Sequence, residues 1–543
     1  MSEFPLPRST PVLIAGGGPV GLATAVELAH HGVRSVVVER RAEVSWLRPR
    51  AKTTSARTME HFRRWGLADA LRARASLPVA WSDQTVFCTS LLGREITRFD
   101  QCFGLDLTGS DLVAEPGQQV AQPVVEQLLR ESVLAGGATT FVTGAEVVAV
   151  GDNGDGAWAD VAVAGNVPQR IAAEYVVGCE GARSVVRKAI GANFVGNDDS
   201  RPNLNIVFRA PGLAQQVPHG PAVHYWVVDT VQPGVVGRLN LEDTWWCIAQ
   251  GVDAAAGAVD ATRIVCNLIG AEFPIEVLAT DAWRARMLLA DRYGRGRLFV
   301  AGDSAHQNPP WGGHGFNTGI GDAVNLGWKL AAILDGWGGP HLLESYEAER
   351  RPIARSTIDE ATRNMATLSP ELNDPALTGT DEEFDAVRPS VAEAIHRSKD
   401  REFHSLDLTL GYAYRYSPII IGDRQNVRAE PEGEPGRRLP HRWFRPGDSL
   451  YDYLGPWFTL LGDTKSAQAR RIIDACAAAR VPLATFRLTE EDRTALLGAP
   501  LSLVRPDQHV AWRGGDANDA RSIVGWITGF GRSSPSSAGR VVS

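Results

Sequence analysis

PVLIAGGGPVGLATAVELAHHGVRSVVVER, residues 11–40, is the stretch that decides the fold. It opens with an apolar run of strand length and passes through three consecutive glycines. A segment with apolar residues at helical spacing follows from Pro19 to His31, then a second apolar run from Ser35 to Glu39. The order is strand, glycine turn, helix, strand. Gly16, Gly18 and Gly21 form G-x-G-x-x-G at the turn, where missing side chains let backbone N–H groups at a helix N-terminus approach a pyrophosphate. Glu39 ends the second strand about twenty residues further on, where a carboxylate accepts hydrogen bonds from an adenosine ribose. Pro19, at the start of the helix, and Arg40, beside Glu39, belong to the same candidate cofactor site. By itself this fingerprint fits NAD and FAD equally well.

Outward from this unit, residues 122–135 place Val125, Leu128 and Leu129 at helical spacing, and alternating strands lead to EYVVGCEGARSVVRKAIG, residues 174–191. Between about Asn203 and Gln250 the pattern becomes short alternating runs, which predict an antiparallel sheet. Buried strand and helix return in GRLFVAGDSAHQNPPWGGHGFNTGIGDAVNLGWKLAAIL, residues 296–334, so the first domain is completed by residues on both sides of that sheet. Residues 345–405 read as helical. Residues 429–440 read as a Pro/Gly/charge-rich linker to a C-terminal domain, and the serine-rich end reads as a flexible tail.

The 543 residues exceed what one hydrophobic core supports, and a composition of 44% hydrophobic and 22% charged residues supplies several. A net charge of -8 gives no electrostatic reason for nucleic acid or an anionic membrane as partner. No apolar run approaches the ~20 residues of a membrane span, and MSEFPLPRST lacks the basic and apolar regions of a secretory signal, so a cytoplasmic location is expected. The six cysteines are scattered, without a C-x-x-C pair or histidines at zinc spacing; neither disulfide, redox nor metal chemistry is expected of them.

Two further segments resolve the choice of cofactor. Residues 302–330 contain GDSAH, then PP at Pro309 and Pro310, then GHGFNTGIGDAVNLGWKL. This resembles the class A flavoprotein monooxygenases, whose phenol and para-hydroxybenzoate hydroxylases carry G-D-x-A-H, P-P and G-x-G-x-N-x-G-x-x-D-A-x-N-L-x-W-K-L. The resemblance implies that Asp303, after Gly302, binds the flavin ribityl chain. It also implies that Pro309, Gly315, Phe316 and Asn317 lie against the isoalloxazine, where backbone N–H groups stabilise negative charge on reduced flavin. GCEGARSVVR, residues 178–187, resembles the family's D-G motif for FAD and NAD(P)H, with Glu180 where the family usually has Asp. Arg183 and Arg187 there either pair with phosphates or form solvated ion pairs. RPRAKTTSARTMEHFRRWGL, residues 48–67, is similar to the family's R-A-x-x-x-x-x-R-T-x-E segment; Arg50 and Gln122 match positions that contact the FAD pyrophosphate and ribose side.

Lys52 stands where some phenol hydroxylases of this family carry Asp and chlorophenol hydroxylases His; it and Pro309 of the P-P loop are the candidate catalytic residues that the resemblance implies. A desolvated lysine acts as a base or stays cationic and holds a phenolate; the alternative is a surface lysine. Candidate substrate walls are Tyr225, Trp226, Trp245, Trp246 and Trp311, with His224 as a polar contact. Neighbours on a strand face opposite ways, so at most about half of the sheet residues line one pocket and the others are core. The C-terminal segments resemble the thioredoxin-like domain of the phenol hydroxylase branch without its C-x-x-C; dimer or interface support is the role left to it.

The implied fold is α/β plus α+β. A Rossmann-like, para-hydroxybenzoate hydroxylase-like FAD-binding domain (5–195 and 285–365) is interleaved with a substrate-binding sheet domain (80–115 and 196–284). A helical segment and linker (366–435), a thioredoxin-like domain (436–530) and a tail (531–543) follow. The implied activity is hydroxylation of a phenolic or polyketide-like aromatic substrate with FAD, NADPH or NADH and O2 through a C4a-hydroperoxyflavin, with the nicotinamide bound transiently because no second glycine fingerprint is present. Alternatives are Baeyer–Villiger oxygenation or antibiotic modification at the same flavin, and a flavin-binding protein without turnover.

Overall fold

The computed structural model describes residues 6–163, 167–198, 202–254, 257–366, 372, 374–421 and 433–531. Residues 429–432 of the expected linker and the tail from 532 onward lie outside them.

The opening fingerprint becomes the strand Ser9–Ala15, the helix Pro19–His30 and the strand Ser35–Glu39. The two strands pair in parallel, and further parallel partners are Gln169–Gly178 with Leu298–Val300 on one side and Thr139–Thr143 on the other. Val12, Leu13, Ile14 and Val37 are fully buried, as expected of parallel strands covered on both faces. The helix Pro19–His30 packs between Gln122–Gly136 and the long helix His314–Leu334. An antiparallel hairpin, Ala145–Asp152 with Ala157–Val163, joins the same eight-stranded sheet.

The second sheet has seven strands. Their order is Glu276–Arg284, Pro202–Arg209, Thr244–Gln250, Gly234–Arg238, His224–Val227, Thr85–Cys88 and Glu95–Phe99. It is antiparallel except where His224–Val227 runs parallel to Thr85–Cys88, because that partner arrives from a distant part of the chain rather than by a hairpin. One face packs on the helix Ala261–Ile269; the other meets Trp311 of the glycine-rich loop and the helix Asp381–Phe403.

The segment expected to be helical over 345–405 divides into Pro340–Ala366 and Asp381–Phe403. A single turn at Pro375–Thr378 precedes the second helix, whose start is fixed by a capping box between Thr380 and Glu383. A four-stranded C-terminal sheet, ordered Leu483–Arg487, Phe458–Gly462, Leu501–Val504, Val510–Gly514, shares its core with Trp328 and Ala332 of the long helix. Among the described residues no helix is long and apolar enough to cross a membrane.

Candidate active site

The glycine turn is built for close backbone approach. Gly16 has φ +98°, and a Cβ there would stand 2.5 Å from the Cys179 carbonyl oxygen; a Cβ on Gly21 would collide with the Gly16 carbonyl. At Gly18 the space is open. Gly18 is also the N-cap of Pro19–His30 and contributes no side-chain cap, so first-turn N–H groups face the pocket with their partial positive charge. The pocket is about 730 Å³ and is lined by Gly16, Gly18, Pro19, Glu39, Arg40, Arg50, Gln122, Glu180, Asp303, Pro309, Gly315 and Phe316, all expected from the sequence. Gly21 and Gly302 shape its turns from behind.

Glu39 is buried. One oxygen accepts from Gly17 N (2.8 Å) and the other from Arg41 N and Nε (2.9 and 3.1 Å), leaving one acceptor site, on Oε2, unused. Gln122 accepts from Ala51 N at 3.3 Å and so ties the Arg50 arm to the helix Gln122–Gly136. Asp303 opens into the pocket and has no hydrogen-bonding protein partner among the described residues. Desolvation raises its pKa while His306 and Arg50 pull it down. An unpartnered carboxylate aimed into a cavity is the group a sugar-alcohol hydroxyl would satisfy. Behind it Asp322 accepts from Gly302 N (3.1 Å), His306 Nε2 (2.9 Å) and Arg350 Nε (2.8 Å). Burial opposes protonation of His306, but the adjacent Asp322 carboxylate raises its pKa.

The helix His314–Leu334 starts at Gly313, φ +68°, again without a side-chain cap, so its first-turn N–H groups also face the pocket beside Pro309 and Phe316. Asn317 behaves differently from the expectation. Its amide accepts from Ser55 N (2.9 Å) and donates to Thr53 O (3.2 Å) and Gly313 O (2.8 Å), stapling the Lys52 arm to the helix instead of lining the pocket.

Glu180 curls back on its own helix. It accepts from Ser184 Oγ (2.7 Å), Val185 N (3.1 Å), Val186 N (3.2 Å) and Ser304 Oγ (3.3 Å), and burial raises its pKa. The extra methylene relative to Asp is used to cap Val185–Ala189 and to join the 178–187 segment to the Gly302–Asp303 turn. Of the two arginines, Arg183 lines the pocket; Arg187 stacks on Phe194 and donates to Ala182 O, away from it.

Lys52 lies on the sheet side, bordering small voids rather than the large pocket. Its ammonium sits 4.0 Å above the Trp246 ring, and burial lowers its pKa to about 8, slightly opposed by Cys247. Next to it the His224 ring meets Trp246 edge-on at 5.4 Å. Burial, reinforced by Lys52, holds His224 down at about 3, hence neutral. His224 Nδ1 and Trp246 Nε1 are buried without a protein partner among the described residues.

Strand parity divides the aromatic set. Trp226, Trp246 and Trp311 share one apolar cluster, in which Trp226 stacks on Phe87 and meets Phe403 and Lys399, whereas Tyr225 and Trp245 are in the opposite core. Tyr225 is therefore not a wall of the site: its hydroxyl donates to Gly220 O (2.5 Å) and accepts from Ala222 N (3.0 Å).

Arg41, Arg48, Glu126 and Asn308 also line the pocket and were not among the expected residues. The signal for Arg48 was present in its position two residues before Arg50. Asn308, between His306 and Pro309, has its Nδ2 buried without a partner and was equally within reach.

Comparison with known proteins agrees with this geometry. Residues 9–361 match the FAD binding domain family, and residues 432–528 match the aromatic-ring hydroxylase C-terminal family. The 4-methyl-5-nitrocatechol 5-monooxygenase of Burkholderia sp is 31% identical over 95% of this chain and 96% of its own. Among solved structures, RebC with bound 7-carboxy-K252c superposes with a TM-score of 0.89 at 33% identity, covering 97% of this chain and 100% of that one. A ternary complex of aklavinone-11 hydroxylase with FAD and aklavinone gives a TM-score of 0.81 at 26% identity, covering 96% of this chain and 100% of that one. With an FAD-binding fingerprint, a second flavin motif at Asp303 and family matches over both halves, the chain belongs to the FAD-dependent aromatic-ring hydroxylases and is a flavoprotein monooxygenase.

Proposed function

We propose that the protein uses NAD(P)H and O2 to hydroxylate a phenolic or polyketide-like aromatic ring lying between the Trp226–Trp246 face of the seven-stranded sheet and the Pro309–Phe316 loop. The observation that carries this reading is the single apolar cluster joining Trp226 and Trp246 of the sheet to Trp311 of the flavin loop. Within it Trp246 borders a small void together with Lys52, which makes it the aromatic wall that a flat ligand would meet. Relatives that act on a nitrocatechol and on aklavinone support both the monocyclic and the polycyclic version of this substrate class.

Bound FAD supplies acceptance of hydride from NAD(P)H and activation of O2 for transfer of one oxygen atom to the ring. The protein's part is positional and electrostatic. The Gly16–Gly18 backbone and the two uncapped helix starts would hold the pyrophosphate and negative charge on the flavin; Asp303 would take a ribityl hydroxyl, Glu39 the ribose, and Arg40, Arg50 and Gln122 the pyrophosphate side. Pro309, which lines the pocket, would help to exclude water from it. Lys52, protonated at neutral pH with a pKa of about 8, holds the substrate oxygen as phenolate and so enriches the ring in electron density. His224, neutral, offers Nδ1 to a second oxygen of the substrate.

In this reading the parallel sheet (5–195 and 285–365) is the Rossmann-like FAD-binding domain and the second sheet (80–115 and 196–284) the substrate domain. The unit at 436–530, with one parallel and two antiparallel pairings, is thioredoxin-like. The test is anaerobic stopped-flow reduction of the holoenzyme flavin by NADPH and by NADH, with a panel of phenols and polycyclic hydroxyquinones. Reduction accelerated by at least one aromatic is expected. Flavin that neither nucleotide reduces under any of these conditions would instead indicate a flavin-binding protein without turnover.

A further inference from the structure

We propose that the turn at residues 505–509 of the C-terminal domain is a positioning element of the flavin pocket, with Asp507 and Gln508 acting through Arg57, and His509 through Tyr414 and Arg350. The proposal rests on the assignment of the pocket to FAD.

Arg505 is fully buried. It donates to both oxygens of Glu349 (2.6 and 2.8 Å) and to both oxygens of Asp507 (3.0 and 2.6 Å). Glu349 also accepts from Lys329 and Asn325 (both 2.7 Å), residues of the helix that begins at the pocket. The rear of that helix is thus fastened to the C-terminal domain by paired buried charges, an arrangement in which loss of one partner strands the others.

Two arms then run forward to the pocket. Along the first, Arg57 donates to the Asp507 carbonyl (2.5 Å) and to Gln508 Oε1 (2.6 Å), and pairs with Glu60 (2.9 Å). Arg57 stands in the first turn of Ala56–Arg64, directly after the 50–55 segment that carries Arg50 and Lys52 and is stapled by Asn317. Along the second, the His509 ring lies 4.3 Å from Tyr414, and the Tyr414 hydroxyl is 3.3 Å from Arg350 Nη1. Arg350 holds Asp322, and Asp322 holds Gly302 N immediately before Asp303.

One turn therefore reaches both the Arg50–Lys52 arm and the Gly302–Asp303 arm, from the far side of the pocket. Its backbone supports the assignment. Gln508 has φ +64°, a left-handed conformation that L side chains adopt at a cost, and in it the Asp507 carbonyl and the Gln508 amide face the same guanidinium. A surface turn with no partner to hold would favour glycine at that position.

The experiment compares flavin-loaded wild type with Asp507→Asn, Gln508→Ala and, as a control in the same domain's core, Ile472→Ala. FAD release after dilution is followed by flavin fluorescence, together with the visible flavin spectrum, at a temperature where circular dichroism reports folded protein. The expected result is at least tenfold faster release and an altered flavin band shape in both turn variants, with Ile472→Ala lowering Tm but releasing FAD at the wild-type rate. Should Asp507→Asn not fold, Gln508→Ala decides. Wild-type release and spectrum in the folded turn variants, or release from Ile472→Ala as fast as theirs, would overturn the proposal. A wild type that retains no FAD would count against the flavin site itself.

Discussion

Lys52 offers the sharpest test of how the site handles its substrate. Burial lowers its pKa from 10.5 to about 8, and it sits 4.0 Å over Trp246 with the neutral His224 beside it. If the ammonium holds the phenolate, the active form carries the proton. With a pKa of about 8, the protonated fraction falls from about 0.9 at pH 7 to about 0.1 at pH 9, so kcat/KM should drop about tenfold over that interval. A phenol that is already ionised at pH 7 removes the substrate's own titration from the profile. Loss of folding does not mimic the effect. The folded pKa lies below the unfolded one, so between about 8 and 10.5 the unfolded chain binds more protons and rising pH adds stability from this group. Lys52→Met should give a flat profile at or below the wild-type value at pH 9. A rate that climbs through pH 8 would make Lys52 a base instead, and a Lys52→Met profile identical to wild type would remove it from the reaction.

Three further outcomes follow from the geometry. Asp303→Asn should weaken FAD binding about 10- to 100-fold, from the ~1.5–3 kcal/mol that separates charged from lost hydrogen bonding, measured by titrating deflavinated protein with FAD. Gly16→Ala, forced to φ +98° with its Cβ 2.5 Å from the Cys179 carbonyl, should cost roughly 1–3 kcal/mol in urea unfolding and give protein purified without flavin; full flavin occupancy would refute the tight-turn argument. Tyr225→Phe removes the partner of the buried Ala222 N and should cost about 1–2 kcal/mol of stability while leaving kcat/KM unchanged; a kinetic defect at wild-type stability would return Tyr225 to the site.

The cofactor half of the site was legible because its chemistry is local. A glycine turn, a helix start and a carboxylate at the next strand end are neighbours in sequence, the residues from Arg50 to Phe316 followed from the family resemblance, and twelve of the residues expected to hold FAD line one pocket. Asn317 shows where motif reading stops. Its place in the loop was clear, but whether the amide faces the flavin or the backbone of Thr53 and Ser55 depends on a strand more than 260 residues away in sequence. The substrate half was legible only to the level of parity. Alternation separates Tyr225 from Trp226 and Trp245 from Trp246, but which pair shares a cluster with Trp311 is set by how the whole sheet packs.

Glu180, where the family usually has Asp, lines the pocket and also caps a helix, a second role that needs the position of Ser304 to be seen. The Arg57 contact with residues 507–508 joins segments 450 residues apart and has no sequence signature. The helical stretch 345–405 was overextended because composition favoured helix throughout, while Pro375 and Gly379 break it before Thr380 restarts it.

The central claim, that this chain inserts one atom of O2 into an aromatic ring, is tested most directly by turnover of the flavin-loaded protein with NAD(P)H under 18O2, followed by mass spectrometry of the product. The expected product carries one 18O atom on a ring carbon and an intact carbon skeleton, with one nicotinamide oxidised per labelled product when coupling is complete. Oxygen inserted into a carbon–carbon bond would contradict ring hydroxylation, and aromatic-independent nicotinamide oxidation with no labelled product would contradict the monooxygenase account as a whole.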